Sequence, residues 1–158
     1  MTISFIGHAL VPQKDKVGEQ VKKQIRNSIG EDRRVVCYLG GYGDFDEICA
    51  CSCRELKREF EKPERIYVTP YMTSAEQRRI KEMQDRGLCD GSLYPPLENT
   101  PPRFAISKRN EWMIDQADLI IAYVNRSYGG AYQSLQMAKR RGKKIVNICD
   151  FLDPLASR

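Results

Sequence analysis

Four short stretches carry the residues whose types and spacing suit binding or chemistry. They are Gly7-His8, the run Gly40-Gly41-Tyr42-Gly43-Asp44 continuing to Asp46 and Glu47, Thr69-Pro70-Tyr71, and Asn125 to Tyr132, "NRSYGGAY". Glycine-rich turns that lead into helices leave backbone N–H groups free to hold an anion. Carboxylates such as Asp44 and Asp46 accept hydrogen bonds from ribose hydroxyls. Tyr42, Tyr71, Tyr128 and Tyr132 offer aromatic faces on which a base can stack. A nucleotide presents both phosphate and hydroxyls, so the mixture of glycines and acids is consistent with one ligand.

The acids also have a local reading. Asp44 can cap a helix that starts at Phe45, with Glu47 three residues on as the reciprocal member of a capping box. Asp46 favours the same helix N-terminus. For His8, the only histidine, general base, ligand contact and plain loop residue all stay open. Neither glycine loop is a known fingerprint in itself. The chain has no GxxxxGK[ST], and Asp46 stands where the dinucleotide pattern begun by Gly41 and Gly43 needs its third glycine.

The elements that must position these residues alternate strand and helix. "ISFIG", "RVVCYLGG", "RIYVTPY", "DLIIAYV" and "KIVNIC" read as five apolar strands. Val17, Val21, Ile25 and Ile29 recur every four residues as a helical stripe, and Phe45, Ile48, Cys49, Leu56 and Phe60 mark the face of a second helix. Thr73 and Glu76 open a third with a capping-box pattern, and Gly87 ends it. "LYPPLENTPP" predicts an ordered turn or loop, followed by a helix starting between Thr100 and Ser107. "GGAYQSLQMAKRRG" is the last helix. Continuous apolar strands separated by helices predict an α/β fold: a three-layer, Rossmann-like, doubly wound and mostly parallel sheet of about five strands. Residues 1–158 are expected to form a single domain. In such sheets ligands bind at the carboxyl ends of the strands, so Gly7, Gly40 and Val124 are expected to converge on one crevice.

Composition bounds the rest. The chain has 158 residues, 41% of them hydrophobic and 30% charged, with a net charge of +5. Its basic clusters, "VKKQIRNSIGEDRR" and "AKRRGKK", are mixed with apolar residues at helical spacing and read as solvated helix faces. No stretch reaches the ~20 apolar residues of a membrane span, and no signal-peptide pattern follows Met1, so a cytoplasmic protein without membrane contact is expected. That compartment argues against disulfides among the six cysteines. Cys49 and Cys53 share a helical face while Cys51 points away, an arrangement that cannot enclose one tetrahedral zinc. The cysteines are expected to fill the core, and no metal site is expected. Cys89, beside a loop, has no assigned role.

The segment "SKRNEWMIDQADLIIAYVNRSYGGAYQSLQMA" resembles the SLOG superfamily, which includes the LOG-type phosphoribohydrolases and DprA. LOG enzymes carry R-K-x-x-M-x-x-x-A-D, an apolar strand, and P-G-G-x-G-T-x-x-E. Arg109, Met113, Ala117 and Asp118 match that spacing, and Gly129 and Gly130 match the paired glycines. With "GGYGDFDE" and "ENTPPRFAISKRN", most of the chain is similar to the small stand-alone YpsA-like branch. The resemblance implies binding of a nucleotide or nucleotide derivative, with Arg109 on phosphate and Asn110 and Ala131 within the site, and the absence of the LOG glutamate favours a sensor or effector role. LOG-like N-glycosidic hydrolysis of nucleoside monophosphates and DprA-like single-stranded nucleic-acid binding are the alternatives. A homodimer is implied by analogy, and no cofactor is firmly implied. The chain departs from LOG in several places. Asn110 replaces the lysine, four extra residues precede the glycine pair, Val124 stands where the pattern leads to proline, and Tyr132 and Gln133 replace glycine and threonine. Gln136 occupies the position of the catalytic glutamate, and an amide cannot supply the carboxylate that handles the proton. Glu47 and Asp46 are the remaining catalytic candidates.

Overall fold

A computed structural model describes residues 1–30 and 34–152. Residues 31–33, within the first basic cluster, lie outside the described residues. The elements run β1 (Thr2–Gly7), α1 (Lys14–Ser28), β2 (Val36–Leu39), α2 (Asp44–Phe60), β3 (Glu64–Val68), α3 (Ser74–Asp85), β4 (Gly91–Leu93), α4 (Ala105–Gln116), β5 (Leu119–Tyr123), α5 (Gly130–Arg140) and β6 (Lys144–Asn147). Single 3₁₀ turns occupy Pro102–Phe104 and Ile148–Phe151. All six strands form one parallel sheet in the order β4-β3-β2-β1-β5-β6. The fold is α/β and Rossmann-like, as its alternating pattern predicts.

The sheet has six strands rather than about five because β4 carries no apolar signature. Its three residues, Gly-Ser-Leu, pair with Ile66, Tyr67 and Val68 of β3. Side chains beside the strand hold it there. The Asp90 carboxylate accepts from the Arg65 backbone N–H at 2.8 Å and from the Arg65 guanidinium at 2.8 and 3.1 Å. Only 6% of Arg65 is exposed, so this charge is fully paired inside the edge, as burial of an ion demands.

Two apolar layers cover the sheet. Val17, Val21 and Ile25 of α1, the Phe45–Leu56 face of α2, and Ile80 and Met83 of α3 pack on one side. Ile114 of α4 and Leu135 and Ala138 of α5 pack with Ile6, Ile120 and Ala122 on the other. β5 is buried along its whole length, which explains its uninterrupted apolar sequence. The expected apolar face of α2 stops at Leu56, since Phe60 at the helix end is exposed. Cys37, Cys49, Cys53 and Cys89 are buried in the first layer, and Cys51 and Cys149 pack against it half-buried. Burial pushes the Cys37 and Cys49 thiols well above the usual range, the behaviour of inert core residues.

Several residues of the basic clusters pair with acids of their own or neighbouring helices. Lys22 pairs with Glu19 and Glu55, and Arg26 with Glu59. Arg141 reaches both Glu111 and Asp115. Thr73 caps α3, accepting from the Glu76 N–H at 3.2 Å. The reciprocal arm of the expected capping box does not form, because the Glu76 side chain turns inward to the Tyr67 and Thr69 hydroxyls. No helix among the described residues is long and apolar enough to cross a membrane.

Candidate functional site

The chain reaches β4 at one edge of the sheet and then returns to lay β5 against the other side of β1. Loops from β1 and β5 therefore leave in opposite directions, and a crevice opens where they part, as expected at a topological switch point. It encloses about 180 Å³ and is lined by Gly7 and Gly40 at strand ends, Tyr42 and Asp46, Arg109 and Asn110 of α4, and Gly130, Ala131 and Ser134 of α5. Both glycine loops thus contribute to one space. Gly41 and Gly43 do not line it. They face a neighbouring groove of about 360 Å³ between α2 and α3, with Arg79 and Arg86. Asp46 borders both spaces.

The acids of the first loop are tied to the backbone. Asp46 Oδ2 accepts from the Gly41 and Tyr42 N–H groups at 3.0 and 2.8 Å. Those amides, expected to be free for a ligand, already hold an anion. Oδ1 of Asp46 accepts no hydrogen bond from the described residues. Burial lifts the Asp46 pKa, against the pull of the Tyr42 N–H and the Arg109 charge. Asp44 is not the helix cap. Gly43 is, with no side-chain cap, and Asp44 is the first helical residue. Its carboxylate instead accepts from the Val11 N–H at 3.0 Å and faces Lys14 at 3.4 Å, fastening α2 to the loop after β1. Glu47 is exposed and pairs with Arg86 at 3.6 Å, so of the two catalytic candidates only Asp46 enters the crevice.

Arg109 is 2% exposed, yet no carboxylate among the described residues lies within ion-pair distance of it. Its Nε donates to Asn110 Oδ1 at 2.9 Å and its Nη1 to the Val68 carbonyl at 2.8 Å. Nη2 donates to none of the described residues. The guanidinium lies 5.5 Å from the centre of the Tyr42 ring, whose other cation neighbour is Arg79 at 4.2 Å. Beneath them the Tyr67 hydroxyl donates to Glu76 Oε1 at 2.5 Å, and burial followed by that bond raises the Tyr67 pKa.

The second loop ends in Gly129, which takes φ 90° and N-caps α5 without any side-chain hydrogen bond. The first N–H groups of α5 therefore remain uncapped at the crevice wall, with the positive end of the helix dipole. His8, 4% exposed, anchors the start of this loop by accepting the Asn125 N–H on Nε2 at 3.1 Å. Its ring meets Tyr123 edge-on, and its buried Nδ1 has no partner among the described residues.

Burial, then the Arg126 charge, lowers the His8 pKa. The unfolded chain therefore binds a proton near pH ~6.5 that the folded chain refuses, and stability falls as pH drops below about 6.5. The Asp44 contribution, held by a lowered pKa, is lost only near pH ~4 and below. His8→Gln should thus flatten the stability profile between about pH 6.5 and 5. Urea unfolding across this range checks it. An unchanged slope would place the acid sensitivity elsewhere.

The remaining expected site residues lie apart from the crevice lining. Pro70 is buried, and Tyr71 is held by Thr69 and by its hydroxyl bond to the Pro102 carbonyl. Tyr132 packs half-buried on the second apolar layer. Ser134, which the sequence did not single out, does line the crevice. It lies four residues beyond Gly130, on the same helical face. Gln136 is two residues further, about 200° around α5, and does not line it. No protein-family model matches the chain, and no curated protein matches it.

Proposed function

We propose that the chain binds a nucleotide or nucleotide derivative in this crevice, as a sensor or effector. The observation that carries the reading is Arg109: a buried guanidinium with no carboxylate partner, lining a space that also receives the uncapped end of α5. Two positive groups directed to one space suit a phosphate. Asp46 Oδ1 then supplies an acceptor for a ribose hydroxyl. The resemblance to the SLOG superfamily points to the same ligand class. A crevice of about 180 Å³ is smaller than the ~300–1,000 Å³ of typical ligand sites, so it takes the sugar phosphate and leaves the base outside. Thermal shifts with a panel of nucleoside monophosphates, each followed by product analysis, test this. Stabilisation without release of base is expected, and no shift with any monophosphate would refute the reading.

A specific observation favours LOG-like hydrolysis as the second reading. Asp46 stands in the crevice with one oxygen pinned and a raised pKa, the setting of a general acid. Under either reading Gln136→Glu should create no base release, because position 136 lies off the crevice. Assays of free base from the monophosphate panel check this. Turnover gained by Gln136→Glu would mean that α5 rotates or shifts on binding. Turnover by the wild type, abolished in Asp46→Asn, would establish the hydrolase.

A further inference from the structure

The four-residue addition before the glycine pair, Asn125 to Tyr128, has no part in the crevice lining. Its conformation places it beside the end of α5 instead. His8 pins its first residue through the Asn125 N–H. Arg126 then folds back over the cap of α5. A Cβ built on Gly129 would stand 3.6 Å from Arg126 Nη2 and 3.9 Å from Nε. The same guanidinium lies 4.8 Å from the centre of the Tyr128 ring. Arg126 is exposed, and no carboxylate among the described residues pairs with it. Tyr128 is 67% exposed, a large aromatic surface given to solvent rather than to the core. It lies two positions before Gly130 in the crevice wall, a reach of at most about 7 Å. A cation with no carboxylate partner among the described residues and an exposed ring therefore stand together beside the end of α5.

We propose that Tyr128 is the surface on which the base of the bound nucleotide stacks, and that Arg126 grips its phosphate from outside the crevice. The site then recognises an intact nucleotide rather than a sugar phosphate. This inference rests on the nucleotide reading of the crevice, and supplies the place for the base that the crevice is too small to enclose. A ring face accepts any base, so stacking gives affinity with little discrimination among bases. The contact of Arg126 with Tyr128 holds the ring in place before the ligand arrives and adds a cation behind it.

Calorimetric titration with AMP and with ribose 5-phosphate tests the proposal. The wild type should bind AMP more tightly than ribose 5-phosphate. Tyr128→Ala should weaken AMP about tenfold and leave ribose 5-phosphate within about twofold. Tyr128→Trp should keep AMP affinity. Arg126→Ala should weaken both ligands. Both side chains are exposed, so loss of folding does not complicate these variants. If Tyr128→Ala left AMP unchanged, or weakened both ligands equally, the stacking role would be overturned. Unchanged binding of both ligands in Arg126→Ala would overturn the phosphate grip. If ribose 5-phosphate bound but AMP bound no more tightly, stacking would fail while the crevice reading stood. Binding of neither ligand by the wild type would overturn both.

Discussion

Gly43→Ala should destabilise the chain by about 3 kcal/mol, whereas Gly130→Ala should leave stability unchanged or slightly raised while impairing binding. Gly43 sits at φ 100°, a conformation that costs a side-chain-bearing residue about 1–3 kcal/mol. Its added Cβ would also stand 2.7 Å from the Ala9 Cα. That neighbour is backbone and is held by the Asp44 N–H bond to the Ala9 carbonyl at 2.9 Å, so it cannot swing aside. Overpacking of this kind adds about 1–3 kcal/mol. In a chain of this size the sum lowers the melting temperature by roughly 6–12 °C. Gly130 differs on both counts. It is the first residue of α5, its φ is not positive, and a Cβ there would meet no atom of the described residues within 4 Å. Alanine is accepted by the helix, but the methyl projects into space that the crevice offers its ligand. Thermal unfolding of the two variants, with AMP titration of the second, gives the comparison. Equal stability losses would remove the distinction between a glycine required by its own chain and one required by a ligand.

Arg109→Met should lower nucleotide affinity at least tenfold, about 1.4 kcal/mol, with a loss of stability of about 1–3 kcal/mol. The guanidinium spends two donors on Asn110 and the Val68 carbonyl, its Nη2 donates to none of the described residues, and the residue lines the crevice. Methionine fills similar volume without a charge that must be buried, but it leaves the Val68 carbonyl and Asn110 Oδ1 without their donor, which costs about 1–3 kcal/mol. Arg109→Lys should fall between, because one ammonium cannot hold Val68 and Asn110 and still reach an anion with a fixed fork. Calorimetry with AMP, alongside thermal unfolding, reads both effects. Unchanged affinity in Arg109→Met would mean that the residue only props the end of β3 against α4.

The architecture was legible because the apolar runs of β1, β2, β3 and β5 and the stripes of α1 and α2 are direct records of burial. β4 was not, since pairing and the Arg65–Asp90 contact hold a strand with no apolar alternation. The crevice as a place followed from the open-sheet rule and the strand ends at Gly7 and Gly40. What its residues do there was less legible. Asp44 and Glu47 have capping-box spacing, and their tertiary partners, Val11 and Arg86, are set by loops that local pattern does not specify. Glu76 likewise abandons its capping arm for Tyr67, a choice visible only once β3 and α3 are side by side. Ser134 follows from Gly130 by helical spacing, but only after the crevice has identified Gly130 as facing it.

Asp46 gives the two glycine loops different relations to the surrounding solution. The first loop carries its own counter-ion, covalently tethered four and five residues from the amides it satisfies. No dissolved ion can compete for a seat that the chain always fills, so the shape of that loop is fixed before any ligand arrives. The end of α5 has no such occupant. Buffer anions and ionic strength therefore act on one side of the crevice only, where sulfate or phosphate in a preparation competes directly with the ligand while the opposite wall stays as built.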